Sequence, residues 1–203
     1  MLWVVSNKTL RRTHLVDSNF DFIEVYDDVL SKEECEKLID DFEKVDPLSG
    51  RKIYGIQDSA AKKLATTLYC DLGEGLFDDF NNPVKCALTQ ALPSYKNKYS
   101  FIKALGMWRW DRYYNIQKYV DGGGYFTLHC EHQASDPCRM LVFMIYLNDA
   151  ECGTEFPYQN KTLDAKAGRL VLWPSGWTHP HKGVTPNKGL KYIATGWYSY
   201  TEH

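Results

Sequence analysis

The chain has 203 residues, 44% of them hydrophobic and 25% charged, the mix of an ordinary globular protein, and its length suits one domain spanning 1–203. A net charge of −2 argues against an electrostatically driven nucleic-acid binder. No apolar run reaches the roughly 18 residues of a membrane span.

The opening MLWVVSNKTLRR lacks the charged lead, apolar run and cleavage site of a signal peptide, so the expected location is the cytoplasm. Phe20 to Tyr26 alternates apolar and polar residues and predicts an early strand. Ser31 with Glu34 forms a capping-box pattern ahead of the stripe Leu38, Ile39, Phe42 and Val45, and Pro47 and Gly50 close that helix. Residues 51–82 carry no clear period. From Pro83, the positions Val84, Ala87, Leu88, Ala91, Leu92 and Tyr95 predict a second helix, which Pro93 would kink or end. Residues 1–100 thus form a helical support segment with an early strand.

Beyond residue 100 the pattern turns to strands: 108–119, 125–132, 139–147, 168–174 and 191–200, separated by turn clusters at 121–124, 134–137, 148–153 and 174–189. Most of the aromatic residues, 14% of the chain, lie in this half, where they fit pleated, half-buried surfaces. Helices first and strands afterwards indicate an α+β fold. The six cysteines show no CxxC pair, and in a chain without a secretion signal they are expected to be reduced. A zinc site from Cys130, His132, Cys138 and Cys152 matches no common spacing.

His129 and Glu131 stand two apart in a strand-like segment, so their side chains share a face about 6.5 Å apart. Some fifty residues later comes His181. Two imidazoles and one carboxylate on one face of an octahedron leave open positions and suit non-haem Fe(II). His132 and Cys130 fall on the opposite face, and His14 and His203 read as surface histidines near the termini. Lys191 opens the last strand and shares a face with Ile193, Thr195 and Trp197; a lysine there is costly unless paired, and a dianionic ligand would pair it. Tyr119 and Tyr146 can aim hydroxyls into the same pocket. Arg109, Arg112 and Arg139, with neighbouring aromatics, are equally a substrate groove or solvated strand faces. Gly122, Gly123 and Gly124 suit a turn or lid beside the site, because no phosphate-loop pattern follows them.

These pieces together resemble the Fe(II)- and 2-oxoglutarate-dependent dioxygenases of the prolyl 4-hydroxylase type, in a short, bacterial or phage-like form. The resemblance is carried by Tyr119, by His129 with Glu131, and by RMLVFMIYLND (139–149), GTEFP (153–157), AGRLVLWPSGWTHPHKG (167–183) and GLKYIATGW (189–197), with FIEVYDDVLSKEECEKLI (22–39) looking like the family's opening. It implies a double-stranded β-helix, or jelly roll, over 101–200 with flanking N-terminal helices. It implies His129, Glu131 and His181 as iron ligands, and Lys191 as the partner of the distal carboxylate of 2-oxoglutarate. Tyr119, Tyr146 and Thr154 stand near that cosubstrate, with Trp197 and Tyr125 in the substrate pocket. Fe(II), 2-oxoglutarate, O2 and ascorbate come with the resemblance. The expected substrate is a peptide, a protein or an amino acid, with no nucleic acid and no membrane as partner; oligomeric state is left open.

Three departures stand out. Glu131 replaces the usual Asp, Cys152 replaces the first glycine of a Gly-Gly pair, and His179 competes with His181. His181 is preferred because Lys-Gly follows it and it precedes Lys191 by ten residues. The first two departures are the support for a non-catalytic jelly-roll binding module with a vestigial metal site. A zinc hydrolase using the same three ligands would leave Lys191 unexplained.

Overall fold

The computed structural model describes residues 20–46, 52–56, 63–71, 78–184 and 189–201, with side chains at 20–46, 63–70, 83–184 and 189–201. His14, His203, Pro47 and Gly50 lie outside the described residues.

In chain order the elements are β1 (Glu24–Tyr26), α1 (Lys32–Lys44), β2 (Lys52–Ile56), β3 (Lys63–Asp71), α2 (Asp78–Lys98), β4 (Trp108–Tyr119), β5 (Gly124–Tyr125), β6 (Arg139–Tyr146), β7 (Ala150–Phe156), β8 (Lys161–Ala165), β9 (Leu170–Pro174), β10 (Lys182–Gly183) and β11 (Lys191–Tyr200). Eight strands form the major sheet in the order β1-β9-β6-β11-β4-β3-β2, with β5 paired to β3; β10-β7-β8 form a minor sheet. All pairings are antiparallel. The result is a curled half-barrel with two helices on its outer face, a jelly roll of the expected α+β class.

The period of two decides which side of the major sheet each residue serves. On β11, Tyr192, Ala194 and Tyr198 join the core under the helices, whereas Ile193 joins the inner core of the half-barrel. On β6, Leu141, Phe143 and Ile145 face the helices and Val142, Met144 and Tyr146 face inward. On β9, Leu170 and Leu172 face out and Val171 and Trp173 face in. Burial on both faces explains why β6 and β9 read as unbroken apolar runs.

The helices close the outer core. α1 carries the predicted capping box: Ser31 Oγ accepts from the Glu34 amide at 3.2 Å and Glu34 Oε2 accepts from the Ser31 amide at 2.7 Å. Cys35, Leu38 and Phe42 point into the core, as do Val84, Ala87, Leu88, Ala91 and Tyr95 of α2. α2 begins at Asp78, ahead of Pro83, and runs through Pro93 to Lys98. Pro93 and Thr89 are exposed, so the helical bond that the proline removes lies on the solvent side, where water can take the carbonyl.

Other expectations need correction. The early strand shrinks to Glu24–Tyr26, because Phe22 has a positive φ of 58° that interrupts it. Residues 52–56 and 63–71, which show no period in the sequence, are strands of the major sheet. Residues 148–153 are not all turn: a strand begins at Ala150, and a bulge lies between Ala150 and Gly153. Gly153 is required there, since a Cβ would come within 1.7 Å of the Leu163 carbonyl oxygen. The segment 125–132 is a strand only at Gly124–Tyr125; beyond it the chain is irregular. No helix among the described residues is long and apolar enough to cross a membrane.

Candidate metal centre and its cavity

The HxE pair is held without a regular strand. His129 and His181 form an isolated antiparallel bridge: the His129 amide donates to the His181 carbonyl at 3.1 Å, and the His181 amide donates back at 2.8 Å. Glu131 is anchored two residues on, where its amide and that of His132 both donate to the Ser175 carbonyl, at 3.0 and 2.9 Å. Residues 52 positions apart are thereby fixed side by side.

Ligand atoms of His129, Glu131 and His181 lie within 4.8 Å of one another. His129 Nδ1 meets the Thr127 carbonyl at 2.9 Å, and His181 Nδ1 meets the His179 carbonyl at 3.1 Å. A carbonyl can only accept, so each Nδ1 carries the proton and each Nε2 turns a lone pair inward. Both Nε2 atoms face Glu131 Oε1, at 3.4 and 3.5 Å. Those separations exceed a good hydrogen bond and leave room for an ion between the three atoms.

The second carboxylate oxygen is held from behind. Trp197 Nε1 donates to Glu131 Oε2 at 3.0 Å, and Arg139 Nη1 pairs with it at 3.4 Å. The Arg139 guanidinium stacks 3.6 Å from the Trp197 ring centroid and pairs with Asp136 at 3.0 Å. Burial works to raise the Glu131 pKa, and protonation of the two facing histidines outweighs it and holds the carboxyl well below its usual range, a role that a cation between the three side chains takes over when the rings are neutral. Two imidazole nitrogens and one monodentate carboxylate form a donor set that suits Fe(II).

His129, Glu131 and His181 border a cavity of about 530 Å³. Tyr119, Tyr125, Thr154, Lys191 and Trp197 also line it, so the fold brings these sequence candidates together with the histidines and Glu131. Tyr146 does not line it. Its hydroxyl stands one layer behind, donating to Thr154 Oγ1 at 2.8 Å. Tyr125 stacks on His129 with ring centroids 3.6 Å apart. Burial pushes the Tyr119 and Tyr146 hydroxyls far up, so both are neutral donors.

Lys191 is 3% exposed, and its Nζ meets only the carbonyls of Gly153 at 3.3 Å and Val184 at 3.2 Å. It stands 5.0 Å from the Tyr119 ring centroid, with no carboxylate in ion-pair distance among the described residues. Burial lowers its pKa accordingly. A buried ammonium offered only two carbonyls and facing a cavity is suited to pair with an anion.

The rival ligands fall away. Both ring nitrogens of His179 are engaged, Nδ1 with the Thr178 hydroxyl at 2.9 Å and Nε2 with the Asp21 carbonyl at 2.8 Å. His132 is exposed, and its Nδ1 meets the Arg139 carbonyl at 3.1 Å. Cys130, His132, Cys138 and Cys152 form no metal-capable group among the described residues.

Among the cavity residues that sequence reasoning missed are Gln117 and Lys63. Gln117 accepts the Tyr119 hydroxyl at 2.5 Å and was legible as the i−2 neighbour of Tyr119 on β4. Lys63 had no local signal, because β3 shows no period. Arg139, left open between groove and solvated face, is a cavity residue.

Residues 114–199 match the model of the 2OG-Fe(II) oxygenase superfamily. No curated protein matches the sequence. Among solved structures, the chain is similar to the viral collagen prolyl hydroxylase of Paramecium Bursaria Chlorella virus-1 in its 2OG complex. That match has 17% identity and a TM-score of 0.67, and covers 91% of this chain and 99% of that one. It is similar to a Pseudomonas putida prolyl-4-hydroxylase, at 17% identity and a TM-score of 0.65 over 89% of this chain and 94% of that one. A third is the Trichoplax adhaerens prolyl hydroxylase in complex with a hypoxia inducible factor peptide fragment. It has 20% identity and a TM-score of 0.63, over 89% of this chain and 84% of that one. At such identities the likeness carries the fold.

Proposed function

We propose, from the match of residues 114–199 to the 2OG-Fe(II) oxygenase model, that the chain hydroxylates an unactivated C–H bond of a prolyl residue in a peptide or protein. The observation that carries the reading is the pairing, in one cavity, of the His129–Glu131–His181 group with the buried, carboxylate-free Lys191. A metal at one end and a cation at the other match a short dianion with a chelating head and a distal carboxylate.

His129, Glu131 and His181 would hold the iron, and Lys191 the distal carboxylate of 2-oxoglutarate. When bound, the pair supplies the oxidising power: O2 and 2-oxoglutarate are consumed, succinate and CO2 leave, and a hydroxyl is placed on the substrate carbon. The Thr127 and His179 carbonyls hold the Nδ1 protons so that both Nε2 atoms stay free to ligate. Trp197 and Arg139 occupy Oε2 of Glu131 and leave Oε1 as the single ligating oxygen. Thr154, positioned by Tyr146, offers its hydroxyl to the bound cosubstrate, and Tyr119, whose proton goes to Gln117, presents its ring beside Lys191. Met144, Trp173 and Ile193 line the same cavity and exclude water from the reacting position.

Ascorbate belongs to this reading as the agent that keeps iron reduced. A reducing, cytoplasmic setting belongs to the same reading. The test is succinate release from 2-oxoglutarate, dependent on Fe(II) and stimulated by proline-rich peptides, with and without ascorbate. Full turnover by His181→Ala would overturn the ligand assignment, and no binding of Fe(II) or 2-oxoglutarate at millimolar levels would favour a non-catalytic jelly roll instead.

A further inference from the structure

Lys63 is a cavity lysine that the scheme above leaves unused. It opens β3, faces Tyr125 in the β3–β5 register, and holds its Nζ 5.5 Å from the Tyr125 ring centroid. That ring stacks on His129, so the ammonium stands about one aromatic ring away from a metal ligand. Among the described residues, no carboxylate lies within ion-pair distance of it. Burial lowers its pKa, against the more distant attraction of Glu131.

The charges of the loaded cavity make Lys63 distinctive. A divalent metal and Lys191 together balance Glu131 and dianionic 2-oxoglutarate. Arg139 is paired with Asp136 at 3.0 Å. Lys63 remains as a surplus positive charge, half-buried beside the reacting position, where solvent screens it little. Tyr69 and Tyr113, 40% and 53% exposed, line the same cavity and present flat apolar faces to whatever enters.

Resting on the hydroxylase reading, we propose that the substrate carries a carboxylate that pairs with Lys63, supplied by an acidic residue next to the target proline or by a free amino acid. Such a pair selects among substrates without entering the chemistry, because the charge sits away from the carbon that reacts.

Three probes separate the sources: a proline-rich peptide with glutamate beside the proline, its glutamine counterpart, and free L-proline. Binding is measured by calorimetry with Fe(II) and 2-oxoglutarate in the absence of O2, and KM is measured with O2 present. Wild type is expected to bind the glutamate peptide or L-proline about tenfold more tightly than the glutamine peptide. Whichever is preferred names the source. Lys63→Met removes the preference, Lys63→Arg retains it, and Lys63→Glu reverses it in favour of a lysine-containing peptide. The proposal is overturned if wild type shows no preference, if Lys63→Met and Lys63→Gln both keep it, or if those variants raise the KM for 2-oxoglutarate more than that of the probe, which would assign Lys63 to the cosubstrate. Succinate release by wild type reports separately on the hydroxylase reading itself.

Discussion

The indole Nε1 of Trp197 donates to Oε2 of Glu131 at 3.0 Å, from a strand 66 residues downstream. That bond, with Arg139 at 3.4 Å, divides the carboxylate into a held oxygen and an oxygen facing two histidines. A glutamate is flexible enough to chelate through both oxygens or to swing away, and the indole prevents both.

Trp197→Phe keeps the ring that Arg139 stacks on but removes the donor. Fe(II) affinity should fall by about tenfold or more, the usual cost of losing a partner behind a ligand. Anaerobic competition with a chromophoric chelator measures it. An unchanged affinity would mean that Arg139 alone fixes the carboxylate.

Glu131→Asp keeps the carboxylate and shortens its reach, and here it should weaken the site. Removing one methylene pulls the carboxylate back by about 1.5 Å. It then cannot meet both the Trp197 donor and the position between the histidines. Metal affinity should drop about tenfold, with a change in tryptophan fluorescence as the indole loses its partner. Tighter metal binding by the variant would contradict the held-oxygen account.

Lys191 makes stability depend on pH in a predictable direction. Burial lowers its pKa in the folded protein below the value in the unfolded chain. Between those two values the unfolded state binds more protons, so stability rises with pH across that window. As pH rises toward 10.5, the ordinary value for a lysine, wild type without cosubstrate should gain more stability than Lys191→Met does; comparing the two isolates this lysine from Lys63, whose pKa shifts the same way. At neutral pH, 2-oxoglutarate with Mn(II) should raise the melting temperature of wild type and not of the variant. Chemical denaturation across that pH range and thermal melts give the answer.

Tyr146→Phe should cost about 1 kcal/mol of stability, the typical worth of one buried hydrogen bond. The freed Thr154 hydroxyl retains only a distant contact with Met144 Sδ at 3.9 Å, so the KM for 2-oxoglutarate should rise a few-fold while kcat changes little. A large fall in kcat with unchanged KM would place Tyr146 in the chemistry rather than behind Thr154.

Much of this was legible in the chain. The stripe on α1, the capping box at Ser31 and the alternation of β11 follow from local periods, and β11 alone lines Lys191, Ile193, Thr195 and Trp197 along one wall of the cavity. The choice of His181 over His179 was legible from its neighbours, and the engaged nitrogens of His179 give the physical reason. What stayed hidden lacks a local signature. β7 and β8 are short and mix buried Cys152, Thr154 and Phe156 with outward acids, so composition suggests turn. The HxE pair suggested a strand, yet two long-range anchors, at His181 and Ser175, shape it. Lys63 and Glu131 are 68 positions apart, and nothing short of the folded sheet brings them to one cavity.

The reciprocal amide bonds between His129 and His181 have a consequence for assembly. Two of the three residues that could hold an ion are spaced by the backbone itself, so the ordering entropy of the site is spent when the barrel closes rather than when an ion arrives. An ion held there would meet a rigid chelate. Its capture should be rapid and its affinity should collapse together with the fold, so that retention of metal serves as a gauge of whether the two edges of the barrel are still joined.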